Sequence, residues 1–258
     1  MEYNKKTGTV QSFMDYLPRA MKFYSLKNEF LARIVFVLVL AANILAQLYI
    51  YKNINLELFT SYPETLEELE QLFRNYTGLF LITVVRGIAV CIVSSFYLLA
   101  YIRELRGEPV NMAEITSGTL RKMIPYVAAH VVMSVIQGFG LLFFVIPGII
   151  LYILFLFTPS FIIDNKSGFL ASFTDSASLT RGYRGQIFSV IAVIYVFFNL
   201  ASMFLASFGS AAAASVVASF ISTIEKIVTL RMVALMYVDL LRKKQGNLPA
   251  EFPGQNSI

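Results

Sequence analysis

Residues 124–163 read IPYVAAHVVMSVIQGFGLLFFVIPGIILYILFLFTPSFII, a run of 40 residues without one Asp, Glu, Lys or Arg. About 20 apolar residues are enough for a helix to cross the hydrocarbon core of a bilayer. The run is therefore long enough for two crossings. Gly138-Phe139-Gly140 is the expected turn between them, because glycine tolerates the backbone angles of a tight turn. These two spans are predicted at 124–138 and 141–163.

Four other apolar runs of similar length flank this one, at about 31–51, 78–102, 187–208 and 211–241. The chain has 258 residues, of which 57% are hydrophobic and 14% charged, and its mean hydropathy is +0.67. A soluble domain carries about 25% charged residues. We therefore expect an all-α polytopic integral membrane protein with six transmembrane helices. Residues 1–245 would form a single membrane domain, and 246–258 a flexible cytoplasmic tail.

The basic residues predict the orientation of the spans, since Lys and Arg accumulate in cytoplasmic loops. With six spans, both termini and the loops at 103–123 and 164–186 share one side. That side carries Lys5, Lys6, Arg19, Lys22, Lys27, Arg103, Arg106, Arg121, Lys122, Lys166, Arg181, Arg184, Arg242, Lys243 and Lys244. The other side carries only Lys52 and Arg74, in a loop with five glutamates. Both termini are therefore predicted to be cytoplasmic.

Three segments on the basic side combine helical apolar spacing with basic residues, and each precedes an odd-numbered span. They begin at Phe13, Met112 and Phe169. Helices of this kind lie in the headgroup plane. The residues expected to contact lipid headgroups are Arg121, Lys122, Arg181 and Arg184. The chain thus resembles three copies of an interfacial helix followed by a helix hairpin, although any short loop leading into a span tends to be amphipathic and basic.

On the opposite side, PETLEELEQLFRNY at 63–76 places leucines and a phenylalanine at helical spacing between acidic residues. We expect a short amphipathic helix at the outer membrane surface. The alternative is a docking surface for a partner.

Two segments are similar to a known membrane domain. They are VIPGIILYILFLFTPSFIID at 145–164 and ASFTDSASLTRG at 171–182. The two segments resemble the domain attached to some bacterial glycerophosphodiester phosphodiesterases and related six-helix inner-membrane proteins. The residues that carry the resemblance are, in order, Pro147-Gly148, then Pro159, then Ser176 or Ser178 through Leu179, Thr180, Arg181 and Gly182. The resemblance covers about 110–200. It implies a helical domain of the bacterial cytoplasmic membrane without catalytic residues of its own.

Four ionisable residues fall inside the predicted spans: Arg86, Glu225, Lys226 and Arg231. Burying each costs about 2.5–3.5 kcal/mol on insertion scales, so such residues usually face a bundle interior or a watery cavity. Arg86 lies 17 residues from Arg103, and Glu225 lies 17 residues from Arg242. Equal depth predicts that Arg86 and Glu225 pair, while Lys226 has no obvious partner.

The last span also carries a polar stripe, formed by Ser215, Ser219, Ser222, Glu225, Lys226 and Thr229. One interpretation is close packing of the last two spans around a buried ion pair. The other is a polar pathway centred on Arg86, Glu225 and Lys226. His130 is expected to be a hydrogen-bonded packing residue, with a proton relay as the alternative. Pro147 and Gly148 predict a plain helix kink.

Enzyme signatures are missing from the sequence, which has no Gly-rich phosphate loop, no HExxH and no serine with a plausible histidine base. The single cysteine, Cys91, excludes a cysteine-based metal site, and no cofactor is expected. Dispersed basic residues argue against nucleic-acid binding. The expected function is a non-enzymatic accessory, structural or lipid-interacting membrane component. The alternative is a small transporter or lipid-translocating protein. Membrane lipids are the expected partners, with another membrane protein or a homo-oligomer as further candidates.

Overall fold

The computed structural model describes residues 13–22, 29–55, 65–143, 145–208 and 211–244, together with 26, 59, 62, 63 and 246. Residues 247–258 of the predicted tail lie outside this set. The helices are α1 Phe13–Met21, α2 Glu29–Asn53, α3 Leu66–Leu105, α4 Met112–Phe143, α5 Val145–Phe155, α6 Thr158–Ile163, α7 Phe169–Leu179, α8 Arg184–Ala206 and α9 Ala211–Lys244. No strand occurs in this part of the chain, which confirms the all-α prediction.

Five helical segments are long and apolar enough to cross a membrane: Glu29–Asn53, Leu66–Leu105, Ile146–Ile163, Arg184–Leu205 and Ala213–Lys244. Large apolar side chains on these segments point outward, among them Leu45, Phe80 and Met203. Contiguous exposed apolar surface of this extent is typical of contact with lipid. The segments support a membrane protein, with five candidate spans where the sequence predicts six. The remaining predicted span, 124–138, lies within α4.

The predicted turn at Gly138-Phe139-Gly140 is wrong, because α4 continues through these residues to Phe143. Helix α5 packs back along α4. Gly140 and Gly148 meet across this hairpin, and a Cβ atom added to Gly140 would lie 2.6 Å from the Gly148 Cα. The two glycines therefore permit close backbone packing between α4 and α5.

The helix break in this region lies about ten residues beyond its predicted place at Pro147-Gly148. Pro147 lies in the first turn of α5, where its missing N–H removes no intrahelical bond. The break falls at Leu156–Phe157, just before Pro159 in the first turn of α6. Ser176 of α7 bridges this break, since its hydroxyl accepts from the Phe157 N–H at 3.1 Å and donates to the Leu154 carbonyl at 2.7 Å.

Two predicted surface helices are continuous with spans. The segment 63–76 is not a separate helix, because α3 runs unbroken from Leu66 for 40 residues, about 60 Å at 1.5 Å per residue. Asn55 donates its N–H to the Asn75 side chain, so α3 projects beyond the end of α2 by roughly two and a half turns. Residues 112–123 likewise form the start of α4. Of the predicted surface helices, α1 and α7 are the two that form separate short helices among the described residues, and the three-fold repeat stays a prediction.

One end of the bundle collects α1, the α3–α4 connection, α6, α7 and the end of α9. Hydrogen bonds join Tyr16 to Asp239, Arg242 to the Leu105 carbonyl, and Lys244 to Ser178. We call this the basic end. The sequence predicted that these segments share one side of the membrane, and the structure brings them together.

Side chains are most completely buried in the half of the bundle toward the basic end. In α3 the buried residues begin only at Cys91, and in α9 every side chain from Leu230 to Leu240 is buried. This half of the bundle contains the polar groups described next.

Candidate functional site

The strongest ionic contact at the basic end joins Arg106 and Asp164. Arg106 Nη1 and Nη2 each donate to one Asp164 carboxylate oxygen at 2.5 Å, and the Tyr237 hydroxyl donates to Oδ2 at 2.9 Å. Burial acts to lower the pKa of Arg106, but the hydrogen bond and charge of Asp164 outweigh it and raise that pKa. Arg106 therefore stays protonated. The contact holds α6 against the ends of α3 and α9.

A second set of contacts fixes the C-terminal turn of α9. Asp239 accepts a bond from Tyr16 at 2.5 Å and lies 3.4 Å from Lys243 Nζ. Lys244 Nζ donates to the backbone carbonyl and hydroxyl of Ser178 at 2.6 and 2.8 Å. These residues are occupied in holding helices together, which makes them poor candidates for binding an external ligand.

Four other basic residues in this half of the bundle remain available. Arg121, Arg181 and Arg184 are exposed and Lys122 is half-buried. None of the four forms an ion pair in the described ranges. They are the residues that the sequence predicted to contact lipid headgroups, and their exposure is compatible with that role.

The predicted Arg86–Glu225 pair does not form, and the helix register explains why. The two residues are not among the ion pairs of the described part of the chain. Helices α3 and α9 both end at the basic end, and Tyr97 lies opposite Arg231. Residue 91 is then level with Glu225, and Arg86 lies five residues, about 7.5 Å, farther from the basic end.

Lys226 has no acidic partner on another helix within the described ranges. Its charge acts on Cys91 of α3 and on His130 of α4, and Glu225 is its neighbour along α9. Cys91 is buried, as expected of a packing residue. His130 Nδ1 lies 3.2 Å from the Tyr126 carbonyl, which agrees with the predicted hydrogen-bonded packing role. Within the described ranges, neither Lys226 nor Glu225 forms an ion pair.

Arg231 is the one buried cation in the described core, with 4% of its surface exposed. Its Nη1 donates to the Tyr97 hydroxyl at 3.0 Å, and its guanidinium carbon lies 4.0 Å from the centre of the Tyr101 ring. No described carboxylate lies within 4.0 Å of it, and its Nε is buried without a partner. The sequence identified Arg231 but not the two tyrosines, although their spacing of four residues places them on one face of α3.

Three of the buried hydroxyls without hydrogen-bond partners lie on α3 and α4, at heights that differ by up to about 10 Å. They belong to Ser94 of α3 and to Thr119 and Tyr126 of α4. Glu114 bonds Arg103, and Gly118 contacts Leu99, so α3 and α4 run antiparallel in a fixed register. In that register Thr119 lies opposite residue 98, and Tyr126 lies opposite Cys91.

The polar stripe of α9 is largely satisfied by its own helix. Ser219 donates to the Ser215 carbonyl at 2.9 Å, and Ser222 donates to the Ser219 carbonyl at 3.3 Å. Thr229 is half-buried. The interhelical bond lies beside the stripe, where Asn43 of α2 donates to Thr223 at 2.9 Å. This bond to the first span was not predicted from the sequence, which paired α9 with α8 and, through Arg86 and Glu225, with α3.

No cluster of three or more potential metal ligands occurs in the residues that the structure covers. Comparisons of the chain with family models, curated proteins and solved structures found no match.

Proposed function

We propose that the chain is a non-enzymatic, multi-pass protein of the bacterial cytoplasmic membrane that interacts with anionic lipid through its basic end. The supporting observation is the position of Arg121, Arg181 and Arg184. They are exposed and unpaired among the described residues of a bundle whose outer surface is apolar. Arg181 and Arg184 lie at the basic end, and Arg121 lies nine residues along α4 from Met112. Each basic residue near an anionic membrane surface contributes about 1 kcal/mol of attraction.

Six spans fit this proposal better than five. Helix α4 starts beside Arg103, and Asp164, the residue after α6, lies beside Arg106. The α4–α5 hairpin thus leaves the basic end and returns to it. If Ile146–Ile163 crosses the bilayer, α4 must cross in the opposite direction. Both termini would then lie on the cytoplasmic side.

The experiment compares anionic and zwitterionic lipid bound to the purified protein. Native mass spectrometry would count phosphatidylglycerol and phosphatidylcholine adducts on the wild type and on the Arg121→Gln, Arg181→Gln, Arg184→Gln triple variant. We expect the wild type to prefer phosphatidylglycerol and the triple variant to lose most of that preference. Arg74→Gln is the control, because Arg74 is exposed on the part of α3 remote from the basic end. Equal selectivity in the wild type and triple variant would refute the proposal.

A small transporter or lipid-translocating protein is the second candidate. Arg86, Glu225 and Lys226 favour it, because they are half-buried charges without ion pairs in the described ranges, and such residues commonly line transport pathways. Glu225→Gln and Lys226→Met should abolish transport in reconstituted vesicles while leaving the protein folded. Retained transport in both variants would exclude a pathway at these residues.

A further inference from the structure

We infer that the first half of α3 is a self-association surface, through which two copies of the chain form a parallel coiled coil. The surface is the α3 stripe, formed by Leu66, Leu69, Phe73, Tyr76 and Phe80. It lies at the end of α3 remote from the basic end, so the inference does not depend on lipid binding there.

The spacing of the α3 stripe is that of a coiled coil. Its residues follow one another at intervals of three, four, three and four, which is the a and d pattern of a heptad repeat. All five side chains are exposed, from 37% at Leu69 to 80% at Leu66. The helix thus presents one continuous apolar face that is ready to meet a second helix.

The first turns of α3 extend beyond the bilayer. The 40 residues of α3 are about 60 Å long, whereas a bilayer with its headgroups is about 40–45 Å thick. Helix α2 ends at Asn53, and Asn55 bonds Asn75, so residues 66–74 lie past the end of the first span. This segment includes three glutamates and an arginine. The first three residues of the stripe are therefore in water.

Lipid does not cover these side chains. An amphipathic helix buries its apolar face in lipid when it lies in the headgroup plane. Helix α3 instead runs unbroken from this segment into its span, so the segment points away from the bilayer. Contiguous apolar surface that faces water marks a protein interaction site.

Helix α2 covers the opposite side of α3. A Cβ atom placed on Gly78 would lie 3.0 Å from Ile54 Cδ1, and position 78 is on the far side of the helix from the stripe. On the stripe, Phe59 packs edge-on against Tyr76, with 4.6 Å between ring centroids, and Tyr76 still has 53% of its surface exposed. The stripe therefore has room for a partner helix.

Orientation and charge favour a second copy as that partner. Copies in one membrane share an orientation, because the same basic residues set it, so their α3 helices run parallel about a two-fold axis along the membrane normal. Glu67 and Glu68 lie off the stripe, and Glu70, on its flank, faces Thr65 of the second copy in this register. No like charges therefore meet across the interface.

The area of the stripe is sufficient for a dimer. Phe73, Tyr76 and Phe80 are 65%, 53% and 67% exposed. Aromatic side chains bury about 150–250 Å² each, so the six rings of two chains would cover roughly 700 Å². Leu66 and Leu69, which are 80% and 37% exposed, bring the total to about the 1,000 Å² that a specific interface needs.

Small residues continue the heptad pattern along the span. Thr83 and Gly87 occupy its next two positions, both are exposed, and a Cβ atom on Gly87 would meet nothing within 4 Å. Small residues let two membrane helices approach closely. The pattern ends inside the bundle, because Ser94, the next a position, is buried.

Sedimentation equilibrium of the purified protein in a density-matched detergent is the first test. We expect a wild-type dimer, and Phe73→Glu should raise its dissociation constant at least about tenfold, because two glutamates would meet in one layer. Gln71→Glu is the matched control, since it adds the same charge on an exposed position on the opposite side of α3, and should change the constant by no more than about twofold. Phe73 is exposed, so neither variant disturbs the core.

Cross-linking in membrane vesicles is the second test, in a Cys91→Ser background with a short bis-maleimide. Leu69→Cys should give covalent dimers, and Gln71→Cys should remain monomeric. Equal cross-linking at the two positions would overturn the inference, as would an unchanged dissociation constant in Phe73→Glu. A wild type that is monomeric in both tests would also overturn it and would indicate that a different protein covers the stripe.

Discussion

Arg106 donates to both carboxylate oxygens of Asp164, each at 2.5 Å, and so connects the end of α3 to the end of α6. Asp164→Asn should destabilise the protein by about 2–3 kcal/mol, because it leaves a largely buried guanidinium without its counter-ion. Chemical unfolding in detergent would measure the loss. Glu114→Gln is the matched control, since its pair with Arg103 is more exposed and should contribute less than about 1 kcal/mol. Equal losses in the two variants would contradict the structural role of Asp164.

Gly140 should not tolerate a side chain. Its Cβ would lie 2.6 Å from the Gly148 Cα, so Gly140→Ala must push α4 and α5 apart. We expect a loss of about 1–3 kcal/mol in the same unfolding measurement. Gly138→Ala is the control, because its Cβ would meet nothing within 4 Å and alanine favours helix by about 1 kcal/mol over glycine. A Gly140→Ala protein as stable as Gly138→Ala would show that the hairpin is not closely packed here.

Ser176 should matter for stability, although it lies in a segment rich in hydroxyls. Ser176→Ala removes the acceptor of the Phe157 N–H and the donor to the Leu154 carbonyl, at an expected cost of about 1–3 kcal/mol. Thr174→Ala, on the same helix and exposed, should change stability by no more than about 0.5 kcal/mol. Thermal unfolding of the two variants would measure the difference in stability. Unchanged stability in Ser176→Ala would mean that the hydrogen bonds from α7 do not stabilise the α5–α6 break.

Arg86 and Glu225 should behave independently. Their difference in height of about 7.5 Å predicts that Arg86→Ala and Glu225→Ala have additive effects on unfolding free energy, within about 0.5 kcal/mol. A double-mutant cycle measures the coupling. A coupling energy above about 1 kcal/mol would indicate a direct pair and a different register between α3 and α9.

The fold could be predicted from the sequence where the evidence lay in long runs of residues of similar character. Apolar length predicted three of the five candidate spans to within three residues at each end, and basic residues predicted which segments meet at the basic end. The pairing of individual side chains was not predictable, because it depends on the register between helices. Counting residues back from Arg103 and Arg242 placed Arg86 level with Glu225. In the register given by the bond between Tyr97 and Arg231, Arg86 instead lies five residues farther from the basic end than Glu225.

Glycine and proline were also misinterpreted for a physical reason. Glycine permits both a turn and close helix packing, and at Gly140 packing prevails. Proline breaks a helix interior but is compatible with a first turn, so the place of Pro147 could be judged only once the start of α5 was known. The partners of Arg231 were missed because tyrosines in an apolar span are usually assigned to packing alone.

The most direct test of the proposed lipid interaction is to determine on which side of the membrane the basic end lies, because anionic lipid is concentrated in the cytoplasmic leaflet. Single cysteines would replace Glu67, near the start of α3, and Ser178, at the basic end, in a Cys91→Ser background. A membrane-impermeant maleimide would then be applied to intact cells and to inverted vesicles. We expect Glu67→Cys to be labelled from outside and Ser178→Cys only in inverted vesicles. Labelling of Ser178→Cys in intact cells would contradict the proposed placement of the basic end against cytoplasmic anionic lipid.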